Sequence, residues 1–305
     1  MLDFIGIGAR RAGEDWLYEQ LRRHPEIHFP REMELSFWSR HYPQSLVDAD
    51  YSRDLEWYRS VFAHWPDGVS PTVRETARPA VPPQHHRSWF DKLMARLDGL
   101  DTRSQGAKLA ELDPHAPPPT AEIVQAASKL GDFSPTYCWF DDTSMPAVIH
   151  DFAPQAKIIY IIRDPRNRAW AAAEKLRELA GLTPEETSDH WYADHFRSAQ
   201  SLKQGDYARA IAQWQAAYEN KLHIMQFEHI SSDPHWLLQG VCAHIGVQDS
   251  EYFSAEPVAQ LLKHIPAQTP MRPSLMPILD EIYAKKTQAL YDISGIDYRR
   301  TSPIE

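Results

Sequence analysis

Short apolar runs that alternate with helical segments constrain this chain more than any other feature. Residues 3–8 form an apolar run carrying Gly6 and Gly8, and residues 13–23 place Trp16, Leu17 and Leu21 at helical spacing. That pattern predicts a strand, a glycine turn and a helix. KIIYII at 157–162 reads as a second strand, and the RDPRNRAWAAAEKLRELAG that follows it reads as an alanine-rich helix closed by Gly181. KLHIMQF at 221–227 is a third buried strand, set between amphipathic helices expected over roughly 206–219 and about 234–245. Strands alternating with helices build an α/β fold on a parallel sheet.

Composition narrows the function. A chain of 305 residues with 43% hydrophobic and 24% charged residues buries a large core and is expected to form a single domain over 1–305. A formal charge of -10 argues against a nucleic-acid backbone as the main partner, because that affinity rests on lysine and arginine neutralising phosphates. Cys138 and Cys242 form no CxxC pair, and His190 and His195 miss the i, i+4 spacing that sets two ligands on one helical face. No metal is expected. No run approaches about 18 apolar residues and the first strand begins at about Asp3, so neither a membrane span nor an export signal is expected, and the chain reads as cytoplasmic. Two proline-rich stretches, 65–90 and 111–122, read as loop insertions, either bordering a binding site or as tolerated surface segments.

The first glycine turn has the outline of an anion cradle, since a helix N-terminus offers unpaired N–H groups and about half a positive charge. Gly6-Ile7-Gly8 lacks the third glycine of a dinucleotide fingerprint. Gly8 to Gly13 keeps half of a P-loop, yet Glu14 and Asp15 stand where lysine and a hydroxyl residue belong. An ordinary magnesium-dependent NTPase is therefore disfavoured. Either these carboxylates face the loop and oppose a phosphate, or they point outward and complement the helix dipole.

FIGIGARRAGEDWLYEQLRRHPEI, residues 4–27, resembles the 5′-phosphosulfate loop of sulfotransferases that use 3′-phosphoadenosine-5′-phosphosulfate (PAPS), a family with bacterial and heparan-sulfate-sulfotransferase-like members. The likeness continues in the family's order through REMELSFW (31–38), GDFSPTY (131–137), KIIYIIRDPRNRAW (157–170), IMQFEHISSDP (224–234) and a terminal helix. It implies a P-loop-like sulfotransferase fold, a central parallel sheet flanked by helices, and an enzyme passing a sulfuryl group to the hydroxyl or amine of a small-molecule acceptor.

The resemblance also assigns roles. Arg10, Arg11, Ala12, Gly13, Glu14, Asp15 and Trp16 make the donor loop, with Arg11 at the family's lysine and Glu14 and Asp15 at its two hydroxyl positions. Arg163 is the 3′-phosphate arginine, while Ala171 stands where the family has a serine on the same phosphate. Lys263 and Arg272 fall where the family closes a basic flap. Glu34 is the base, with Ser36 at the family's histidine, and Arg11 joins it in catalysis. Asp132, Ser134 and Tyr137 form a polar strand-end cluster that either holds substrate or caps the strand. The altered donor contacts keep two alternatives open: an enzyme of this fold that has given up PAPS for another anionic substrate, or a non-catalytic binding protein.

Overall fold

Phe4–Gly6, strand β1, is buried along its length and hydrogen-bonded on both edges. A computed structural model describes the protein over residues 2–30, 34–48, 50–63, 129–248 and 270–299. Lys263 and the two proline-rich stretches lie outside those residues. After β1 come α1 (Glu14–Leu21), β2 (Ile27–His28), a π-helical turn at Phe37–His41 that runs into α2 (Tyr42–Ser45), and α3 (Leu55–Ala63). Next are β3 (Lys129–Phe133), a 3-10 turn at Pro135–Trp139, α4 (Met145–Phe152), β4 (Lys157–Ile162) and α5 (Pro165–Leu179). The chain continues through α6 (Asp189–Arg197), α7 (Ala199–Gln204), α8 (Tyr207–Tyr218), β5 (Leu222–Gln226), α9 (Glu228–Ser232), α10 (Pro234–Ile245) and α11 (Met276–Ser294). The strands and helices expected from the apolar pattern are all present, with ends moved by a residue or two.

The strands form one sheet of order β2-β3-β1-β4-β5, every pair parallel. Alternation along the strands feeds two cores. Ile5, Ile158, Tyr160 and Ile162 point to a face covered by α4 and α8, where Ile149, Tyr207 and Trp214 are buried. Phe4, Ile159 and Ile161 point to the other face, against Trp16, Leu17 and Val241 of α1 and α10. Among the described residues no helix is long and apolar enough to cross a membrane.

Close approach at β1 and β3 requires glycine. Phe4 stands opposite Gly131 and Gly6 opposite Phe133. A Cβ on Gly131 would lie 2.2 Å from Cζ of Phe4, and one on Gly6 would lie 2.3 Å from Cδ2 of Phe133. Each ring covers the bare backbone of the neighbouring strand, which lets both strands run into the core without a gap.

Beyond β4 and β5 the chain is tied by charge. Asp164 caps α5 by accepting from the Arg166 amide at 2.9 Å. The Arg166 guanidinium bonds both oxygens of Asp164, Oδ1 of Asp280 on α11 at 2.7 Å and the carbonyl of Tyr298 at 3.0 Å. Tyr298 in turn donates to Glu228 at 2.8 Å, and Glu228 accepts from the Asp164 amide at 3.4 Å. The turns that follow β4 and β5 are thus braced against residues after α11.

Replacing Gly131 by alanine forces a methyl group into the Phe4 ring. Gly131→Ala is expected to cost about 1–3 kcal/mol, as overpacking of a filled core does, read as a lower urea midpoint at unchanged slope.

Candidate active site

The loop from Gly8 to Gly13 leaves the carboxyl end of β1, where ligands bind in open parallel sheets. It is held to β4 by bonds from Ala9 N to the Ile161 carbonyl at 2.6 Å and from Ile161 N to the Gly8 carbonyl at 2.8 Å. Gly13 takes φ 90 just before α1, and a Cβ there would lie 2.5 Å from Cδ1 of Ile230 and 2.8 Å from Cδ2 of Phe227. The loop therefore rests on the turn after β5 as well.

Within this loop the Glu14 side chain turns back on the backbone. Its Oε1 accepts from the Arg11 amide at 2.6 Å and its Oε2 from the Ala12 amide at 2.9 Å. Glu14 is only 2% exposed. Of the two orientations open from the sequence, this acid faces the loop and takes amides that an oxyanion would use. Burial pushes its carboxyl up to about 7, with the Asp15 charge adding to the rise and the Arg11 charge opposing it.

Glu34 comes to the same place. Its carboxylate stands 3.5 Å from the Arg10 guanidinium, and both side chains are buried. Burial raises its proton affinity, Arg10 lowers it, Asp15 raises it, and Arg40 and Arg11 lower it. Arg11 at φ 65, Glu34 at φ 56 and Ser36 at φ 49 all hold left-handed backbone, a conformation that costs non-glycine residues energy.

A buried network positions the Glu34 segment. Asp132, at the end of β3, is 0% exposed and accepts from Tyr58 at 2.7 Å, Tyr137 at 2.8 Å and Ser134 at 2.8 Å. The Ser134 oxygen accepts from the Ser36 amide at 3.0 Å, and the Tyr137 oxygen from the Trp38 amide at 3.5 Å. Asp132, Ser134 and Tyr137 are thus brought together, and their side chains bond one another, Tyr58 and the segment carrying Glu34. Burial still raises the Asp132 carboxyl, against the three hydroxyls that lower it. Tyr58, on α3, was missed from the sequence. It carries no motif, and its partner lies 74 residues away.

Residues 3–251 match the model of the sulfotransferase family. The chain belongs to that family. The crystal structure of a sulfotransferase from Alicyclobacillus acidocaldarius has the same fold, with a TM-score of 0.58 at 17% identity, covering 97% of this chain and 97% of that one. The sulfotransferase STF9 from Mycobacterium avium is more distant, at a TM-score of 0.45 and 15% identity over 93% of this chain and 76% of that one. So is the sulfotransferase domain from the curacin biosynthetic pathway, at 0.42 and 15% over 93% and 97%. No curated protein matches the sequence.

Among the features that PAPS use implies for a sulfotransferase, the structure divides sharply. Arg163 follows directly on β4, is 3% exposed and lays its guanidinium 4.4 Å from the centre of the Phe227 ring. Burial lowers its proton affinity, while Glu228 and Asp164 act to raise it. That strand-end cation suits a phosphate. Ala171, half-buried on α5, adds no hydroxyl. Trp16 lies in the core with Leu17 and Phe227. Arg272 bonds the Thr187 carbonyl at 2.8 Å, Asp189 at 2.7 Å and the Pro184 carbonyl, and lies over Tyr192, so its charge is spent on the segment before α6. At the loop itself the amides of Arg11 and Ala12 are already bonded to Glu14, and the cradle as it stands does not fit the phosphosulfate end of PAPS.

The histidines keep apart. His190 is exposed on α6, whereas His195 is buried and its proton affinity is pushed down to about 3 by burial and by Arg168. Among the described residues no group of three or more His, Cys, Asp or Glu is placed to hold a metal ion.

A carboxyl whose proton affinity is raised on folding stabilises the fold below its unfolded value and loses that contribution as pH rises through its folded value. For Glu14 the window runs from the ordinary 4.5 to about 7. Between pH 5 and 8 the wild type should lose on the order of 1–3 kcal/mol relative to Glu14→Gln, measured by denaturant unfolding of both proteins across that range.

Proposed function

We propose that the chain is a transferase acting on a small-molecule acceptor, with Glu34 as the base that takes the proton of an acceptor hydroxyl or amine and with Arg10 and Arg11 facing the charge that develops on the transferred group. The observation that carries this reading is the buried Glu34 carboxylate 3.5 Å from Arg10, beside the glycine loop at the carboxyl edge of the sheet. Desolvation moves a carboxyl toward the proton affinity that a general base needs. The arginines oppose the rise that burial gives the Glu34 carboxyl and add positive charge where a sulfuryl group would be passed, the kind of preorganised field that carries most of the catalysis in such transfers. Arg11 in place of the family's lysine keeps the charge with a wider, bidentate fork.

The nature of the donor is decided at the loop. Arg163 favours the family's PAPS, whose 3′-phosphate a buried strand-end arginine would grip. The second reading, another anionic substrate in place of PAPS, takes its support from the Glu14 carboxylate on the loop amides, which stands against a phosphosulfate group there.

Calorimetric titration with 3′-phosphoadenosine 5′-phosphate, the spent donor, separates the two. Binding that weakens by about 1.5–3 kcal/mol in Arg163→Ala supports PAPS, whereas no heat at millimolar nucleotide leaves the other donor. With an acceptor found by screening, Glu34→Gln should lower turnover by about 10²–10⁴ with little change in KM. Wild-type turnover in that variant would remove Glu34 from the proton transfer.

A further inference from the structure

We infer that Glu14 is a built-in anion that closes the loop, and that an external sulfate, phosphate or phosphosulfate group binds there only by expelling this carboxylate. Each backbone N–H carries a single proton, and those of Arg11 and Ala12 are aimed at Oε1 and Oε2 of one side chain, at 2.6 and 2.9 Å. The carboxylate thereby makes the bidentate contact with successive loop amides that an oxyanion ligand makes in a backbone nest. Because it is tethered two and three residues from those amides, its effective concentration far exceeds that of a free anion.

The loop is confined by its neighbours. Gly13 is pinned at positive φ against Phe227 and Ile230, so the loop has no slack on the side of β5. Cys138 lies at the start of the loop, its Sγ 3.1 Å from where a Cβ on Gly8 would stand, and burial raises its thiol so that it stays neutral. The charges that bear on Glu14 are Asp15 from the first turn of α1 and Arg11 from the loop itself. An arriving anion therefore meets the charge of Glu14 at the amides and that of Asp15 next to it. Threonine at the position, the hydroxyl that the resemblance leads one to expect, is too short to reach back and leaves both amides open.

The identity of the nucleotide, but not the closure, rests on the reading proposed above. The first measurement uses inorganic phosphate and sulfate with the full chain. Thermal melting of Glu14→Thr should rise with either anion at concentrations at least ten-fold below those that move the wild type, with Glu14→Gln, which keeps the size and loses the charge, between the two. Circular dichroism matching the wild type establishes that each variant is folded, and the Gln variant carries the comparison where the Thr variant does not fold. Folded variants that respond to the anions no more than the wild type overturn the inference. A second measurement titrates 3′-phosphoadenosine 5′-phosphate and adenosine 3′-phosphate. A gain in Glu14→Thr confined to the first nucleotide places the opened amides at its 5′ end, and an equal gain for both overturns the assignment to that end. Phosphate-dependent stabilisation without binding of either nucleotide keeps the closure and removes PAPS as the donor.

Discussion

Hydrogen bonding on both edges of β1 sets the register on which everything else depends. Ile5 stands opposite Asp132 on one side and Ile158 on the other. Because all three strands run the same way, their carboxyl ends arrive together, and the residues just past them meet without any long excursion of chain. The glycine loop follows β1, the Asp132 network ends β3 and Arg163 follows β4. A slip of one residue in either pairing would turn the buried set toward the wrong core and carry Asp132 or Arg163 away from the loop. The Phe4–Gly131 and Gly6–Phe133 contacts guard against that slip, since each ring has bare backbone to cover in one register only.

Around the loop the protein accepts buried charge that a purely structural fold would avoid. Asp132 is fully enclosed and tolerable because three hydroxyls donate to it. Arg168, at the start of α5, is 0% exposed and bonds the neutral partners Gln204, Ser201 and Tyr283. Glu14 and Glu34 are the less settled pair, each with its proton affinity raised by burial. Groups in that condition concentrate where chemistry or binding is done. Arg10 and Arg11 of the loop bear on Glu34, together with Arg40 beyond it, and Arg11 bears on Glu14.

The strands KIIYII and LHIMQ and the helices after them were legible from their apolar patterns and, at the end of α5, from Gly181, which takes φ 70. β2, two residues long, carries no periodicity to read, and the π-helical turn at Phe37–His41 has no sequence signature. At the site, Glu34 and Arg163 could be named from motif and strand-end position. Their surroundings could not. Whether Glu14 faced inward depended on the curvature of the loop before it, which follows from the left-handed backbone at Arg11 and Gly13. The role of Asp132 depended on Tyr58, distant in sequence. Arg272 looked from its position like part of a flap, but its guanidinium matches the carbonyls of Pro184 and Thr187, a fit that exists only once α6 and α11 are packed together.

The brace between Arg166, Glu228 and Tyr298 has a consequence for the order in which the molecule is made. A ribosome delivers the turn carrying Arg163 long before it delivers Tyr298, and domains take shape as they emerge. Until Tyr298 arrives, Glu228 lacks the hydroxyl that it accepts from, and Arg166 lacks the Tyr298 carbonyl and Asp280. A nascent chain stalled before α11 would thus present the β4 and β5 turns with part of their charge unmatched. Completion of this brace is then a late event in biosynthesis.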